Sequence, residues 1–358
     1  MSRLENLRGR RVLVTGHTGF KGAWLSLWLH LLGAEVIGFS KYGHPNDTVY
    51  RGIFDCIDEE AYGDVADFSI LQAAVNRFKP ELIFHLAAQS LVQTGYQQPF
   101  LTFSSNVTGT LNLLEAARRQ TSVKGVVVVT SDKCYRNLGK THAFVENDPL
   151  GGKDPYSAGK ACAALMTHCY RDLAAQRPQP LLIAEARAGN VIGGGDDSAF
   201  RLIPDMVRAL QEGKPIGIRN PDHIRPWQHC LDPLYGYLLL GTALLAGNHK
   251  AADAWNFGPT PESCVSVQEL VNRWLALWGS GTFEVVGRQQ GQGAEAQVLQ
   301  LNSQKAEQHL GRRPIWSLAS ALSHTADWYR NPKNRSIRER CEQDIADFEA
   351  DLQQQVPT

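Results

Sequence analysis

Two residues with acid–base chemistry, Tyr156 and Lys160, lie four positions apart in the segment DPYSAGKA. Pro155 favours the first turn of a helix, and residues at i and i+4 share one helix face. The positive charge of Lys160 would favour the phenolate and so lower the pKa of Tyr156. Such a tyrosine can take the proton of a sugar or alcohol hydroxyl whose hydride leaves to a nicotinamide. The spacing alone is a weak signal, because it often arises on helices by chance.

A second group of titratable residues follows the apolar run 126–129. The run predicts a buried strand, and Ser131, Asp132 and Lys133 come shortly after it. A charged pair at a strand end is most often ordinary protein surface. Ligands of parallel sheets, however, bind beyond the carboxyl ends of the strands, so the same position also suits a catalytic acid and base.

A glycine-rich turn in VLVTGHTGFKG, residues 12–22, separates the first predicted strand from an amphipathic helix. The first glycine allows a sharp turn, the second lets the backbone approach a pyrophosphate, and the third lets the helix pack on the strand. Free N–H groups at the helix start bind the anion. The predicted contacts in this turn are Gly16, Thr18, Gly19, Phe20 and Gly22.

The choice between NAD and NADP stays open on residue chemistry. The second strand ends in Ser40 and Lys41 without a carboxylate for the adenosine ribose, and Lys41 would suit a 2′-phosphate. Asp64, at another strand end, can accept from an adenine amino group, although a solvated loop acid fits equally well. The predicted cofactor contacts at strand ends are Ser40, Asp64, Val65, Leu86, Ala87 and Ala88.

Short apolar runs alternate with helical patterns through the first half of the 358-residue chain. Strand–helix–strand repeats predict right-handed crossovers and a parallel sheet covered on both faces. The predicted fold is α/β, a Rossmann-type doubly wound parallel sheet with a smaller C-terminal substrate-binding lobe. We assign residues 1–190 to the dinucleotide-binding domain, with a returning segment near 230–260, and residues 191–350 mainly to the lobe.

Composition excludes several classes of partner. The 36 basic and 36 acidic residues give zero net charge, so no global field favours nucleic acid or a membrane surface. No window reaches the roughly 20 apolar residues of a membrane span, and no signal peptide is visible. Seven scattered cysteines without a C-x-x-C pair suit reduced thiols in a cytoplasm, and the eleven histidines have no metal-ligand spacing. We therefore expect a cytoplasmic protein without a metal.

Several motifs together resemble the extended short-chain dehydrogenases/reductases over nearly the whole chain: the T-G-x-x-G-x-x-G turn, HLAAQS, NVTGT and Y-x-x-x-K. Within that superfamily the chain resembles the nucleoside-diphosphate-sugar 4,6-dehydratases, in which the strand end reads Thr-Asp-Glu. Here Ser131–Asp132–Lys133 stands at those positions. Lysine in place of glutamate is shared by the branch that acts on CDP-glucose, which TGHTGFKG, TSDKCYRN and DPYSAGK also resemble.

The resemblance implies an internal redox cycle with NAD. Tyr156 takes the C4 hydroxyl proton, NAD takes the C4 hydride, water leaves across C5 and C6, and the hydride returns to C6. Ser131 would hydrogen-bond near the C4 oxygen, and Lys160 would hold the nicotinamide ribose and Tyr156. Asp132 fits the acid at C6. Lys133 is the base at C5 if it can lose its proton, and otherwise a cation that stabilises the enolate.

For the substrate, the resemblance implies a set of residues from several segments. NPDHIRPWQHCLD resembles the family segment whose arginine grips the nucleotide phosphates, so Arg225 is the first choice, although any one arginine is more often a surface residue. Asn190 matches a position that reaches the same phosphates, and Gln89 and Ser90 face the sugar. The predicted substrate contacts are Gln89, Ser90, Asn190, Arg201, Arg208, Arg219 and Arg225.

The resemblance also implies an assembly and a biological role. The family pairs through helices that correspond here to about 105–119 and 156–175, which predicts a homodimer or a dimer of dimers. The product would feed deoxysugar biosynthesis for surface polysaccharide such as lipopolysaccharide O-antigen. Two alternatives remain: a nucleotide-sugar 4-epimerase, which needs no acid–base pair at C5 and C6, and a catalytically silent NAD-binding redox sensor.

Overall fold

The protein is built around one large parallel sheet, seen in a computed structural model that describes residues 2–41, 48–139, 142–287, 296–330 and 335–355. The strands in chain order are β1 (Arg11–Thr15), β2 (Glu35–Ser40), β3 (Glu59–Tyr62), β4 (Leu82–His85), β5 (Gly125–Val129), β6 (Leu182–Ala188), β7 (Val191–Ile192), β8 (Ile216–Ile218), β9 (Ile224–Pro226), β10 (Gln228–His229), β11 (Ala254–Phe257), β12 (Cys264–Ser266) and β13 (Phe283–Val285). Seven of them form the sheet, in the order β3-β2-β1-β4-β5-β6-β11.

The helices cover this sheet and build the rest of the molecule. They are α1 (Phe20–Leu31), α2 (Thr48–Ile53), α3 (Phe68–Phe78), α4 (Val92–Gln97), α5 (Pro99–Phe103), α6 (Gly109–Arg119), α7 (Pro155–Ala175), α8 (Leu202–Gln211), α9 (Leu231–Leu245), α10 (Val267–Trp278), α11 (Gln304–Leu310), α12 (Leu318–Arg330) and α13 (Ile337–Gln355). A π-helical turn, Ser104–Thr108, joins α5 to α6.

Every neighbouring pair of strands in the large sheet is parallel. The strand order reverses at β1, which lies between β2 and β4, and ligands of such sheets bind at this switch point. The valines of β5 are buried throughout, as expected for a parallel strand covered on both faces. The Rossmann-type prediction is therefore confirmed.

Two apolar layers lie on opposite faces of the sheet. Helices α1, α9 and α13 contribute to one layer, in which Trp24 and Trp28, four residues apart on α1, are fully buried. Helices α3, α6 and α7 contribute to the other layer, which includes Leu71 and Leu113. Truncating a buried tryptophan to alanine typically costs about 3–5 kcal/mol, so the first layer anchors the sheet firmly.

The C-terminal lobe has its own apolar cluster. Helices α8, α10 and α12 supply Met206, Trp274 and Leu322 to it, and the short pairs β8–β13 and β9–β12 lie beside them. Helix α9 and strand β11 return to the large sheet. Helix α13 packs against α1 and α2, where its buried Phe348 meets Trp28.

The most apolar segment, YGYLLLGTALLAG, belongs to α9, a helix of 15 residues packed on the sheet. Across the described ranges, we find no helix with both the length and the apolar character needed to cross a membrane.

Candidate active site

A cavity of about 950 Å³ opens between the carboxyl ends of the strands and the lobe. All the predicted site residues except Arg208 line it. The cavity therefore brings together the glycine turn, the strand-end acids and lysines, the Tyr156 helix and three of the four predicted arginines. Its size is within the range of pockets that bury a nucleotide-sized ligand.

The glycine turn has no room for side chains at its first and third glycines. Gly16 has φ +76°, and a Cβ there would lie 2.8 Å from the backbone N of Ala87. A Cβ at Gly22 would lie 2.0 Å from the carbonyl oxygen of Gly16. Gly19 is the N-cap of α1. The turn thus lets a ligand approach bare backbone at a helix N-terminus, which fits the pyrophosphate of a dinucleotide.

Lys21 is a site residue that the sequence analysis missed. It lies between Gly19 and Gly22, is partly buried, and lines the cavity. Burial, and then the charge of Arg201, lower the pKa of its ammonium to about 8. The position of Lys21 between two glycines of a phosphate-binding turn is the sequence signal that could have identified it as a site residue.

The adenosine side of the cavity holds an exposed ion pair. Lys41 Nζ lies 2.7 Å from Asp64 Oδ2, with 56 % and 37 % of the two side chains exposed. Asp64 also accepts a hydrogen bond of 2.9 Å from the backbone N of Ala66. Lys41 is therefore paired with Asp64, and this carboxylate competes with a 2′-phosphate for the ammonium group.

The turn after β5 places a serine, an acid and a lysine at the cavity wall. The Ser131 hydroxyl donates to Asp132 Oδ1 at 2.9 Å and accepts from the backbone N of Lys133 at 3.2 Å. Asp132 is only 2 % exposed. Burial raises the pKa of its carboxyl group, and the charges of Lys133 and Arg225 oppose that rise only in part. Asp132 is thus disposed to hold a proton, as an acid must.

Tyr156 and Lys160 share one face of α7, but they do not interact as the sequence predicted. Lys160 Nζ donates to the carbonyl oxygen of Val129 at 3.0 Å. Burial raises the pKa of Tyr156 to about 12, while a hydrogen bond with Ser131 opposes the rise. The predicted lowering of the Tyr156 pKa by Lys160 is therefore wrong for the protein alone. Burial, and then the charge of Lys21, lower the pKa of Lys160 to about 7.

The π-helical turn shapes the loop after β4. Asn106, inside the turn, accepts from the backbone N of Gln89 at 2.8 Å and donates to its carbonyl oxygen at 3.0 Å. The Gln89 side chain donates to Thr102 at 2.8 Å, so its amide holds the loop. Ser90 accepts from Arg201 at 3.1 Å across the cavity. Single π-helical turns within α-helices occur often at functional sites.

The four predicted arginines fall into two groups. Arg201 forms an ion pair of 2.9 Å with Asp196, and Arg225, almost fully buried on β9, contacts His223 Nδ1 at 3.1 Å. Arg219 and Asn190 line the same cavity as these two.

Arg208 is a correction to the predicted site. It lies two helical turns beyond Arg201, pairs with Asp205, and donates to the carbonyl oxygen of Asp197 at 3.4 Å. These contacts hold it in a separate cleft that it shares with Arg340. The carboxylate of Asp205 and the backbone carbonyl of Asp197 hold the guanidinium away from the cavity.

Comparison with known proteins decides the family. The model of the family described as GDP-mannose 4,6 dehydratase matches residues 13–325. The chain belongs to this family of 4,6-dehydratases. It is 41 % identical over 328 residues to the CDP-glucose 4,6-dehydratase of Salmonella typhimurium (strain LT2), covering 90 % of this chain and 91 % of that protein.

Solved structures of other 4,6-dehydratases share the fold. The dTDP-glucose 4,6-dehydratase of Streptomyces venezuelae, solved with NAD bound, superposes with a TM-score of 0.76 at 27 % identity, covering 90 % of this chain and 98 % of that one. The dTDP-glucose 4,6-dehydratase of Bacillus anthracis gives a TM-score of 0.77 at 23 % identity, with coverage of 91 % and 98 %.

The family resemblance drawn from the motifs is thus confirmed. So is the prediction that the chain is an enzyme of the hydro-lyase class, and a silent redox sensor is set aside.

Proposed function

We propose that this enzyme is an NAD-dependent CDP-glucose 4,6-dehydratase, which converts CDP-D-glucose to CDP-4-dehydro-6-deoxy-D-glucose. The observation that carries the proposal is the buried Asp132, with a raised pKa, between Ser131 and Lys133 and close to Tyr156. An acid and a lysine at that point are what elimination of water requires. The cytidine part rests on the relative from Salmonella typhimurium and on Lys133, which the CDP-glucose branch shares.

The first step is removal of the C4 hydroxyl proton. Tyr156 accepts it, and Ser131, hydrogen-bonded to that phenol, holds the C4 oxygen. The chemistry that NAD supplies when bound is hydride acceptance at C4 and hydride return at C6, so no outside oxidant or reductant is consumed. Lys160 would hold the nicotinamide ribose, and the glycine turn would receive the pyrophosphate. The added positive charge of an oxidised nicotinamide favours the phenolate that burial opposes.

The second step is loss of water across C5 and C6. The C4 ketone acidifies the C5 hydrogen, Lys133 removes that proton, and Asp132 gives a proton to the departing C6 hydroxyl. The raised pKa of Asp132 supports its role as the donor. In the last step the hydride reaches C6 and a proton returns to C5, so the net change is the loss of one water molecule.

Arginines of the lobe wall are assigned to the diphosphate. Arg225 and Arg219, with Asn190, give this wall a cationic and hydrogen-bonding character. Arg201 links Asp196 to Ser90 and so joins the lobe to the sugar side. Guanidinium groups suit phosphate because they can donate two parallel hydrogen bonds.

A 4-epimerase is the alternative, because it shares the cofactor, Tyr156 and Lys160. It oxidises and reduces C4 alone, and it has no use for a carboxyl group and an amine at C5 and C6. Asp132 and Lys133 therefore favour dehydration.

The proposal extends to assembly and role. Large apolar side chains are exposed on the helices assigned to subunit pairing, including Leu111 on α6 and Leu165 and Leu173 on α7. Burying them between two copies supports a homodimer or a dimer of dimers. All seven cysteines are free, in keeping with the cytoplasmic location that we propose. The 4-keto-6-deoxy product would enter deoxysugar synthesis for surface polysaccharide.

The deciding experiment identifies the nucleotide retained by the purified protein and then supplies CDP-, dTDP-, UDP- and GDP-glucose separately. We expect bound NAD and a 4-keto-6-deoxy product from CDP-glucose, with deuterium from solvent at C5. Dehydration of another nucleotide sugar alone would overturn the cytidine assignment. A galactose product would indicate the epimerase.

A further inference from the structure

A fully buried ion pair lies behind the catalytic turn. Glu185 and Arg187, both on β6, have completely buried side chains. Arg187 Nε donates to Glu185 Oε1 at 2.8 Å and Nη2 donates to Oε2 at 2.7 Å, so the pair is bidentate. Two charges in the core are costly to bury unless every polar atom is satisfied, and a buried pair is weak evidence for stability alone. This pair therefore needs another explanation.

The pair contacts the residues on both sides of the turn. On the N-terminal side, the Thr130 hydroxyl donates to Glu185 Oε1 at 2.7 Å. On the C-terminal side, Arg187 Nη1 donates to the Tyr135 hydroxyl at 2.9 Å, and that hydroxyl donates to Asn256 Oδ1 at 2.6 Å. Residues 131–134 lie between these two anchors, and 131–133 of them are the serine, acid and lysine of the catalytic turn. One rigid element thus fixes the entry and the exit of the turn.

The chain after β6 also touches the turn itself. A Cβ at Gly189 would lie 3.0 Å from Asp132 Oδ2. The backbone N of Thr130 donates to the carbonyl oxygen of Ala186 at 2.9 Å. Backbone, side-chain and packing contacts together therefore fix the position of Asp132 relative to β6.

Two residues of the first hydride transfer are held differently, whereas Ser131, which also serves that step, lies in the turn. Tyr156 and Lys160 belong to α7, whose N-cap Asp154 accepts from the backbone N of Ser157 at 3.0 Å. Among the described residues of α7, the side chain that reaches the ion pair at hydrogen-bond distance is His168, 3.2 Å from Glu185 and twelve residues beyond Tyr156. Disturbing the turn anchors should therefore affect the elimination more than the oxidation.

We propose that Glu185 and Arg187 are positioning residues, which act through Thr130 and Tyr135 to hold Asp132 and Lys133 in register with C5 and C6 of the substrate. The inference rests on the proposed 4,6-dehydration. A misplacement of about 1 Å in such a group can cost on the order of 10²-fold in rate. Although the Glu185–Arg187 pair does not line the cavity, its loss should slow the elimination step.

The test uses variants at the anchors, because Glu185→Gln would leave the Arg187 charge buried without its partner and threaten folding. Thr130→Val removes one hydrogen bond at nearly constant shape, and Thr130→Ser restores the hydroxyl. Tyr135→Phe removes the other anchor and keeps the ring, which stacks on Phe144 with centroids 4.8 Å apart. Thr325→Val is the matched control, since Thr325 is equally buried, donates within α12 and lies away from the cavity.

Single turnovers with CDP-glucose separate the two steps, with absorbance of bound NADH reporting C4 oxidation and solvent deuterium at C5 reporting the elimination. In Thr130→Val and Tyr135→Phe we expect the elimination to slow about tenfold or more while oxidation changes less than about threefold, so that NADH accumulates. Thr130→Ser and Thr325→Val should behave as wild type.

Equal slowing of both steps, or an unchanged ratio between them, would overturn the positioning role. If the wild-type protein itself neither forms NADH nor takes up deuterium, the proposed function fails first, and the two failures are thereby distinguishable.

Discussion

The two ends of the cavity handle charge in opposite ways. At the end that we assign to adenosine, beyond β2 and β3, the side chains of the ion pair Lys41–Asp64 are both exposed to solvent. At the chemical end, beyond β5 and β6, Asp132 and Lys160 are almost completely enclosed, with the Glu185–Arg187 pair behind them. Exposed pairs contribute about 0–1 kcal/mol and are screened by salt. Buried charges shift protonation by whole pKa units.

The difference shows how one sheet edge can serve both recognition and catalysis. The exposed end can contact a polar, charged cofactor without strongly shifting any proton equilibrium. The enclosed end raises the pKa of Asp132 and Tyr156 and lowers that of Lys160, chiefly through burial. Substitutions at the chemical end should therefore change rates, and substitutions at the adenosine end should change affinities modestly.

The largest expected effect is at Tyr156. Tyr156→Phe keeps the ring and removes the group that accepts the C4 proton, so turnover should fall about 10²–10⁴-fold. Affinity for the nucleotide sugar should change little, which equilibrium titration with CDP-glucose would check. Near-normal turnover in this variant would break the assignment of the enclosed end as the site of chemistry.

Lys133→Met should give the next largest effect and tests whether the amine is the base. The variant keeps most of the side chain's length, so C4 oxidation should continue and bound NADH should build up on adding CDP-glucose. Exchange of the C5 hydrogen with deuterated solvent should fall by about 10²-fold or more, together with water loss. If deuterium enters C5 at the wild-type rate, Lys133 only stabilises the enolate and another group moves the proton.

Two buried histidines should make the fold sensitive to acid. Burial lowers the pKa of His85 and of His229 to about 3, from 6.5 in the unfolded chain. Their contribution is complete above pH 6.5 and is lost as the pH falls towards 3, because the unfolded state then binds protons that the folded state refuses. At pH 5 each should cost about 2 kcal/mol of unfolding free energy.

Denaturant titrations at pH 7.5 and pH 5 would measure the loss. His85→Gln should reduce the difference between the two pH values, and the exposed His142→Gln should leave it unchanged. An identical pH dependence in His85→Gln and wild type would show that His85 is not a source of the acid sensitivity.

Sequence predicted the first half of the molecule better than the second, for a physical reason. Apolar runs such as β5 and the glycines at 16 and 22 have strong local requirements, since only those residue types fit the positions. The lobe strands are two or three residues long and carry no usable period. Their pairing depends on contacts made by distant segments.

The site residues divide along the same line. Nearly all the site residues predicted from motifs line the cavity. The direction of the Tyr156 pKa shift, in contrast, depends on burial, which the spacing of residues does not encode. The sequence does not distinguish Arg208 from Arg201, because each arginine has an acid nearby. The structure pairs Arg201 with Asp196 and Arg208 with Asp205, and only Arg201 lines the cavity. Glu185 and Arg187 stand in an apolar strand, where their pairing is visible only in three dimensions.

The smallest expected effect is at the exposed end and concerns the preference for NAD over NADP. In wild type, Asp64 forms an ion pair with Lys41, which lines the cavity at the predicted adenosine site, and so withholds its charge from a 2′-phosphate. Asp64→Asn removes the charge and keeps an oxygen for the backbone N of Ala66, which Asp64 already accepts from at 2.9 Å. Since an exposed pair contributes at most about 1 kcal/mol, the preference for NAD should narrow by about two- to fivefold without reversing.

Isothermal titration of the apo-protein with each dinucleotide would measure this change. The double variant with Lys41→Met should restore the wild-type ratio, because the gain for NADP comes from the released ammonium. Titration in 0.5 M salt should shrink the change further, as expected for charges in solvent. A change of a hundredfold in Asp64→Asn would mean that the adenosine end is as enclosed as the chemical end, and the contrast between the two ends would be lost.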